Sequence, residues 1–380
     1  MQKKLLIYET THIENLSALL TLSEGYFSEV TIFIPASSCR QLQYILSPLR
    51  LSLKLNWIIR NEEQNRPFIR SFFKHLRESS YTHLHIGTLE HNMFLFAWHL
   101  RRCLHLQISI TLHSINDYSS SLYTDIRNIS ETAAKRILYR TVRHYRVLAP
   151  AMVNVFQKKF PGKQVCFIPG NFYKSPGEHD LLQSIFSIVI PGTVEHKRRD
   201  YQMVVRFLNT YAKDLTAFTP IHIVLAGNAG SPYGMEITEA LYQLSVKHAF
   251  RLSYFTHPLE QYEYEAFYEQ ADIIWAPVIL HTNSLRGIAE INGVTHSPGF
   301  ITDQIYFGKP AIIPKGLQLP SQFAGCNWEY ENESDLPAIF TSILSDKHIL
   351  TEANDRVRAA CSYFRMENFT GAFSDLLGVD

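Results

Sequence analysis

Short apolar runs alternate with longer amphipathic segments along the first 170 residues. The intervals ENLSALLTL (14–22) and RSFFKHLRES (70–79) show the spacing of helices with one apolar face. The runs that have the length of buried strands lie at 5–8, 30–35, 55–59, 82–87, 107–113, 146–150 and 165–169. Strands that alternate with helices typically form a parallel sheet covered on both faces. Residues 1–170 therefore predict one doubly wound domain.

The same pattern starts again after GNFYKSPGEHD, a stretch rich in glycine, proline and charge that predicts a linker over 171–183. Further strands are predicted at 186–192, 221–227, 250–257, 271–278 and 309–314. Residues 184–351 would form a second domain, and 352–380 a helical segment that packs back on the first. The predicted fold class is α/β, with two Rossmann-like parallel-sheet domains and a cleft between them. In such sheets, ligands bind beyond the carboxyl ends of the strands.

Composition agrees with a folded protein: hydrophobic residues make up 46% of the chain and charged residues 19%. The apolar run near the N-terminus is too short for a signal peptide, and no run is long enough to span a bilayer. The five cysteines are widely spaced and form no CxxC pair. These features predict a reduced, cytoplasmic chain.

Charge is divided unevenly between the halves. Residues 1–170 contain 21 Lys+Arg and 11 Asp+Glu, a balance of +10. Residues 171–380 contain the other 15 Lys+Arg and 24 Asp+Glu, a balance of −9. The split predicts an anionic partner for the first half, although the charges could equally serve to solvate the surface.

A basic stretch in the first half, KRILYRTVRHYR (135–146), includes Arg140, Arg143 and Arg146 among apolar residues. It is a candidate for contact with an anionic membrane surface. The alternative is a surface helix with one core-facing side. The chain has no RRM, KH or zinc-finger pattern, so nucleic acid is not an expected partner.

The most informative segment is IVIPGTVEHKRRDYQMVVRFL (188–208). A strand ends at Gly192 and Thr193, a polar loop follows, and a helix begins near Asp200. The loop carries three adjacent cations, Lys197, Arg198 and Arg199. Their side chains can bind phosphate oxygens, and a helix N-terminus adds a favourable dipole. The alternative is a solvated basic loop.

A second segment, SPGFITDQIYFGKPAIIP (297–314), places a loop before a helix. Backbone amides around Gly299 could hold a phosphate, and the Asp303 carboxylate could accept hydrogen bonds from ribose hydroxyls. The alternative for Asp303 is an acid favoured by the helix dipole. Gly308, Lys309 and Pro310 could be an ordinary helix stop.

Together, in this order, the two segments resemble the retaining two-Rossmann (GT-B) glycosyltransferases, of the family 4-like group. The stretch between them, which begins with Thr256, His257 and Pro258, resembles the family's loop beside the nucleotide base. The resemblance implies transfer of a sugar from a nucleotide diphosphate-sugar co-substrate, with no further cofactor and with Lys197, Arg198 and Arg199 against the diphosphate. It covers 186–315 well and the first half loosely.

His113 directly follows a predicted strand, at a point where the family often has a histidine near the transferred sugar. The resemblance makes it the catalytic candidate, and an ordinary polar residue is the alternative. The first strand lacks the family's usual glycines. Thr11 and Glu14 there have the spacing of a capping box.

The chain departs from the family at one acidic position. Two glutamates eight positions apart are common there, whereas this sequence has Thr295 at the first position and Asp303 at the second. An insertion-like stretch at 280–296 offers Asn283, Arg286 or Glu290 as a substitute. The identity of the sugar is left open by this difference.

No Asp-x-Asp pair occurs in the chain, so a metal-independent donor site is expected. The resemblance further implies a glycan or a lipid-linked sugar as the acceptor, at the inner face of a bacterial membrane where polysaccharide is assembled. Two alternatives remain open. One is a non-catalytic protein that binds nucleotide-sugars, and the other is a sugar-nucleotide epimerase.

Overall fold

The computed structural model describes residues 3–60, 65–89, 92–174, 185–284 and 286–378. The strands of its first domain are β1 (Lys4–Tyr8), β2 (Glu29–Pro35), β3 (Lys54–Arg60), β4 (His83–Ile86), β5 (Gln107–Leu112), β6 (His144–Val147) and β7 (Gln164–Phe167). The helices between and after them are α1 (Glu14–Ser23), α2 (Ala36–Leu46), α3 (Asn65–Glu78), α4 (Met93–Leu100), α5 (Ile115–Ser119), α6 (Ile126–Thr141) and α7 (Pro150–Lys159).

These seven strands form one parallel sheet in the order β3-β2-β1-β4-β5-β6-β7. Helices cover both faces of the sheet, and its central strands β1 and β4 are therefore buried almost throughout. The strand order reverses between β1 and β4. A crevice for a ligand opens at such a reversal.

The second domain repeats this plan with a six-stranded parallel sheet. Its elements are β8 (Phe186–Pro191), α8 (Tyr201–Phe218), β9 (Ile221–Asn228), α9 (Pro232–His248), β10 (Arg251–Phe255), α10 (Gln261–Gln270), β11 (Ile273–Trp275), α11 (Phe300–Phe307), β14 (Ala311–Pro314), β15 (Trp328–Tyr330), α12 (Leu336–Ser345) and α13 (Lys347–Cys361). The strand order is β10-β9-β8-β11-β14-β15, so the reversal lies between β8 and β11. A separate antiparallel hairpin, β12 (His281–Asn283) with β13 (Ala289–Ile291), precedes α11.

The predicted fold class is confirmed: two parallel-sheet α/β domains face each other across a cleft. Two features were not predicted. The insertion-like stretch at 280–296 contains the hairpin, and β15 adds a short edge strand. The strand predicted at 271–278 is shorter, at Ile273–Trp275. The linker predicted at 171–183 lies mostly outside the described residues, and its boundaries stay a prediction.

The C-terminal segment crosses to the first domain. After α13, the last helix α14 (Thr370–Leu377) packs on β6 and β7. The Phe369 ring lies 5.8 Å from that of Phe167, and the backbone carbonyl of Asp375 is 2.8 Å from Nδ1 of His144. The largest hydrophobic cluster therefore spans both domains. In the part of the chain that the structure describes, no helix is long and apolar enough to cross a membrane.

Candidate active site

A cavity of about 560 Å³ lies between the domains, at the carboxyl ends of β5 and β8. Both domains contribute to its walls, as expected where the two strand reversals face each other. Of the residues predicted from the sequence, the cavity brings together His113, Gly192, Thr193, Arg198, Arg199, Gly299 and Asp303. Residues separated by up to 190 positions in the chain therefore line one site.

Arg199 lies across the glycine that ends β8. A Cβ atom on Gly192 would be 2.1 Å from Nη2 of Arg199, and Gly192 has φ +84°. Nη1 of Arg199 donates a hydrogen bond to the Thr193 carbonyl at 3.3 Å, and its backbone pairs with Val278 beyond β11. Glycine is thus required at 192 both by its backbone and by the guanidinium above it.

Arg198 provides a second guanidinium at the cavity, with Nε 3.5 Å from the Glu195 carboxylate. The Asp200 side chain caps α8 by accepting from the Met203 amide at 2.8 Å. The helix therefore starts where it was predicted. Two arginines beside a helix N-terminus form a site that attracts phosphate.

Lys197 does not belong to this group. It is exposed, it lies outside the cavity lining, and its carbonyl accepts from the Thr282 hydroxyl at 3.0 Å. The loop turns at Lys197 to meet the hairpin, so two of the three predicted cations line the cavity, and a role for Lys197 in donor binding stays a prediction. Arg198 and Arg199 remain the cations of this loop that line the cavity.

The loop predicted beside the nucleotide base is also placed differently. Thr256, His257 and Pro258 are exposed and lie outside the cavity lining. The residues that follow them, Leu259 and Gln261, line the cavity instead. The segment that begins with Thr256 thus reaches the cavity, but through the side chains of Leu259 and Gln261.

Asp303 lies in the first turn of α11, half-buried in the cavity wall. Its Oδ2 accepts hydrogen bonds from the hydroxyls of Tyr264 at 2.9 Å and Tyr268 at 3.0 Å. Burial raises the pKa of Asp303 to about 7, against the opposing effect of the two hydroxyls. The carboxylate therefore bonds to two side chains from α10, and Gly299, not Asp303, is the N-cap of the helix. Sequence reasoning missed both tyrosines, although their spacing of four places them on one helix face.

His113 lies on the first-domain side of the cavity. Its ring stacks on His12 with centroids 4.2 Å apart, and Nε2 lies 3.3 Å from the Gly87 carbonyl. Burial, with His12 next in effect, holds the pKa of His113 well below its ordinary value. The His113 imidazole is therefore uncharged at neutral pH. His296, from the second domain, lines the same cavity.

Glu9, at the end of β1, organises the loop that carries His12. This carboxylate is almost fully buried, and its Oε1 accepts from the backbone amides of Thr10, Thr11 and His12 at 2.7, 2.8 and 3.1 Å. A Cβ on Gly87 would be 2.0 Å from Oε2 of Glu9, so the neighbouring strand end must be glycine. A buried acid here holds the loop in place of the glycines that the family usually has.

The capping box suggested by Thr11 and Glu14 does not form. The N-cap of α1 is Ile13, without a side-chain cap bond. Glu14 instead lies 3.2 Å from Nδ1 of His12. Because Glu9 already binds the amides of the loop, the Thr11 side chain has no capping role.

The hairpin β12–β13 reaches across to the first domain. Arg286 donates from Nε to Oδ1 of Asp117 at 2.8 Å and pairs through Nη1 with Glu131 at 3.2 Å. Lys135, which is buried, lies 3.2 Å from the same Asp117 oxygen. Burial alone would raise the pKa of Asp117, but Arg286 and Lys135 bring it below its ordinary value. This ionic cluster joins the two domains beside the cavity.

The candidates for the family's missing glutamate have different positions. Asn283 and Arg286 line the cavity. Glu290 is buried outside the cavity lining and accepts from the Asp117 amide at 2.7 Å, while the Thr295 hydroxyl accepts from the Ile291 amide at 2.7 Å. Glu290 and Thr295 thus have structural contacts, and Asn283 is the candidate whose side chain forms none of the ionic contacts above.

The basic stretch 135–146 spans the end of α6 and the start of β6, so it is not a single helix. Lys135 is buried in the ionic cluster, and Arg146 is fully buried within the first domain. Arg146 donates to the carbonyls of Ile168 at 3.1 Å and Asn15 at 2.7 Å, and also to that of Pro169. Arg140 and Arg143 remain exposed. Lys135 and Arg146 thus have structural roles, and contact of this stretch with a membrane stays a prediction that rests on its exposed cations.

Replacing Arg286 with alanine should weaken the contact between the domains. Its side chain is 15% exposed and its loss leaves Asp117 and Glu131 without their inter-domain partner. We expect the free energy of unfolding to fall by about 2–3 kcal/mol, the range for hydrogen bonds to charged groups. Urea denaturation measures it, with Arg206→Ala as the control, because Arg206 pairs with Glu333 on the exposed surface. If the two variants lowered the free energy of unfolding equally, Arg286 would not stabilise the contact between the domains.

The sequence matches no protein-family model, and no curated protein matches it. Solved structures do match over the whole chain. HepE of Anabaena, solved with UDP and glucose, superposes with a TM-score of 0.63 at 12% identity over 99% of both chains. The pneumococcal O-GlcNAc transferase GtfA, solved with UDP and GlcNAc, gives 0.65 at 9% identity over 99% of both chains.

An enzyme of another class shares the architecture. UDP-GlcNAc 2-epimerase from Neisseria meningitidis, bound to UDP-GlcNAc, superposes with a TM-score of 0.59 at 12% identity, over 99% of this chain and all of the epimerase chain. These similarities show the GT-B fold.

Proposed function

We propose that this protein transfers a sugar from a nucleotide diphosphate-sugar to a hydroxyl acceptor. The observation that carries the proposal is the single cavity in which Arg198 and Arg199, at the end of β8, share a wall with Asp303 on α11. On the second domain, the two arginines would bind the diphosphate and Asp303 would bind the ribose. Two structures of the same fold were solved with UDP.

The arginines would act on the leaving group. As the bond to the sugar breaks, negative charge grows on the diphosphate, and fixed guanidinium groups stabilise that charge more than they stabilise the bound donor. The backbone amides around Gly299 would add further donors. His113, on the opposite wall, would contact the transferred sugar, as the family resemblance implies. Retention at the anomeric carbon is part of the same proposal.

The acceptor would enter from the first domain. Its wall of the cavity carries His12, His113 and the start of α4, and residues 1–170 have the excess of positive charge. A sugar on an anionic lipid carrier, at the inner face of a bacterial membrane, fits these features. A soluble glycan is the alternative.

Incubation with donor alone tests the reaction type. UDP-glucose and UDP-GlcNAc are the first donors to use, and NMR identifies the products. Slow hydrolysis to UDP and free sugar supports a transferase, since water then replaces the acceptor. A change in the configuration of the bound sugar would instead show an epimerase, the second candidate, whose fold this chain shares. A donor that binds but stays intact, even with added lipid-linked or glycan acceptors, would support the non-catalytic alternative.

Donor turnover should not depend on a divalent metal ion. The chain lacks an Asp-x-Asp pair, and Arg198 and Arg199 supply the positive charge at the cavity. The rate of nucleotide release should therefore survive excess EDTA. Loss of activity that manganese restores, and that calcium does not, would overturn the proposed role of the arginines.

Binding of the donor should strengthen as pH rises through 7. Ribose hydroxyls donate to the ionised form of Asp303, whose pKa burial raises to about 7. Below that pH the carboxyl must lose its proton to bind, so affinity should be about tenfold lower at pH 6 than at pH 8. Titration calorimetry with an intact nucleotide-sugar measures this dependence. Asp303→Asn should bind more weakly and show no pH dependence in this range, and an unchanged profile in that variant would contradict the ribose role.

A further inference from the structure

Large apolar side chains are exposed along α4 and the turn after it. Phe94, Trp98 and Leu104 are 44%, 38% and 71% exposed. The rings of Phe94 and Trp98, one helical turn apart, lie stacked with centroids 6.5 Å apart. The opposite face of α4, with Phe96 and Leu100, is buried in the domain core. An apolar face is thus presented to the outside although the helix already has a full core-facing side.

Cations surround these rings. The guanidinium carbons of Arg101 and Arg102 lie 4.2 and 5.3 Å from the centroid of the Trp98 ring. On the neighbouring helix α3, Arg66, Arg70, Lys74 and Arg77 are all exposed, at the spacing of a single helical stripe.

The two helices form one surface. Phe73 of α3 lies between them, with its ring 4.4 Å from His99 and 5.3 Å from Phe96 of α4. Residues 65–106 contain six Lys+Arg and two Asp+Glu, a balance of +4. The segment therefore contributes a net positive charge around an apolar centre.

We propose that this α3–α4 surface docks on an anionic lipid bilayer. Tryptophan and phenylalanine favour the membrane interface, the cations attract anionic head groups, and Leu104 can enter the acyl region. A nucleic acid would satisfy the cations and could stack on the rings, but it offers no apolar medium for the highly exposed Leu104. Of these two partners, only a bilayer interacts favourably with the cations, the aromatic rings and Leu104 together.

The surface continues to the candidate active site. Met93, the first residue of α4, lines the cavity together with Thr88 and Leu89, and Phe94 follows it on the exposed side. A sugar carried on a membrane lipid would thus enter the cavity from the docked face. This link to the acceptor rests on the proposed function, whereas docking itself does not depend on donor chemistry.

Vesicle co-sedimentation of the full chain tests the proposal. Binding should be strong to phosphatidylcholine vesicles that contain phosphatidylglycerol, weak to pure phosphatidylcholine, and lost in high salt. The variant with Arg66, Arg70, Lys74 and Arg77 replaced by Gln should partition at least about tenfold less, since each cation near an anionic surface adds to the attraction. The matched control replaces Arg140, Arg143, Lys213 and Lys247, which are exposed elsewhere, and should bind like the parent.

A second pair of variants tests the apolar centre. Phe94→Ser, Trp98→Ser and Leu104→Ser together should reduce binding as strongly, whereas Met235→Ser, Tyr242→Ser and Val246→Ser on the exposed face of α9 should not. Circular dichroism and nucleotide-sugar binding should be unchanged in all variants, which separates loss of docking from loss of fold or of donor binding. The proposal would be overturned if the variants and their controls lost vesicle binding equally. It would also be overturned if the parent protein did not bind anionic vesicles and bound single-stranded RNA instead.

Discussion

Replacing Arg199 with alanine should lower kcat/KM for donor turnover by about 10²–10³-fold, the loss typical when one fixed donor to a developing negative charge is removed. The guanidinium is held against Gly192, and the backbone of Arg199 pairs with Val278. Its charge is therefore in place before the reaction begins. Arg199→Lys should recover only part of the activity, because an ammonium group lacks the planar fork that binds two phosphate oxygens. Steady-state kinetics of nucleotide release measures both variants.

Two further variants make this prediction specific. Lys197→Ala removes an equal charge two positions away, outside the cavity, and should change kcat/KM little. Gly192→Ala keeps the arginine but places a Cβ 2.1 Å from its guanidinium, so it should reproduce much of the loss. If Lys197→Ala were as damaging as Arg199→Ala, the basic loop would act through its net charge alone, and the assignment of Arg199 would be wrong.

Arg146→Met should have the largest effect on stability. The side chain is fully buried and donates to three backbone carbonyls, those of Asn15, Ile168 and Pro169. Methionine fills similar space but leaves these acceptors without a donor, at about 1–3 kcal/mol each. We expect the free energy of unfolding to fall by about 3–5 kcal/mol, measured by urea denaturation.

Arg143→Met is the matched control, because that arginine is exposed three positions earlier. It should change stability by less than about 0.5 kcal/mol. A loss no larger in Arg146→Met than in this control would show that the three carbonyls find other partners. The comparison thus distinguishes buried Arg146, which supports the fold, from the exposed arginines of the same basic stretch 135–146.

Most of the fold was predictable because the strands of parallel sheets are buried on both faces and are therefore short apolar runs. IVIP before Gly192 and IHIVLAG are examples, and both are strands in the structure. The edge strand β15 is three residues long and its centre is Glu329, so it carries no such signal. The hairpin was missed because its strands owe their positions to contacts with the first domain, through Arg286 and Glu290.

The candidate site was predictable only to the level of segments. Residues directly after strands reach the cleft, as His113 and Gly192 do, and the loop that follows Gly192 brings Arg199 there. Periodicity could not decide which of three consecutive cations in an irregular loop faces inwards, and Lys197 does not. The partners of Asp303 come from another helix, and the role of Glu9 depends on a neighbouring strand ending in glycine. Such contacts arise from the packing of distant segments.

The basic stretch 135–146 shows the same limit for charge patterns. A run of Lys and Arg indicates a surface when its members are solvated. Here Lys135 pairs with Asp117, and Arg146 donates hydrogen bonds to backbone carbonyls inside the domain. The exposed cations of α3 are spread over three helical turns and form a less obvious pattern in sequence. Their proximity to α4 becomes visible in the folded chain.

Titration calorimetry of the parent protein and of Arg199→Ala with nucleotide diphosphates and their sugar conjugates tests the central claim most directly. The panel contains UDP, GDP, ADP, UDP-glucose and UDP-GlcNAc, with CMP for comparison. We predict that at least one diphosphate binds the parent protein at one site per chain. That affinity should fall by at least about tenfold in Arg199→Ala, the loss of one charge-assisted contact, and should be retained in Lys197→Ala. A protein that binds none of these ligands, or binds them equally well without Arg199, would contradict a nucleotide-sugar site between the two domains.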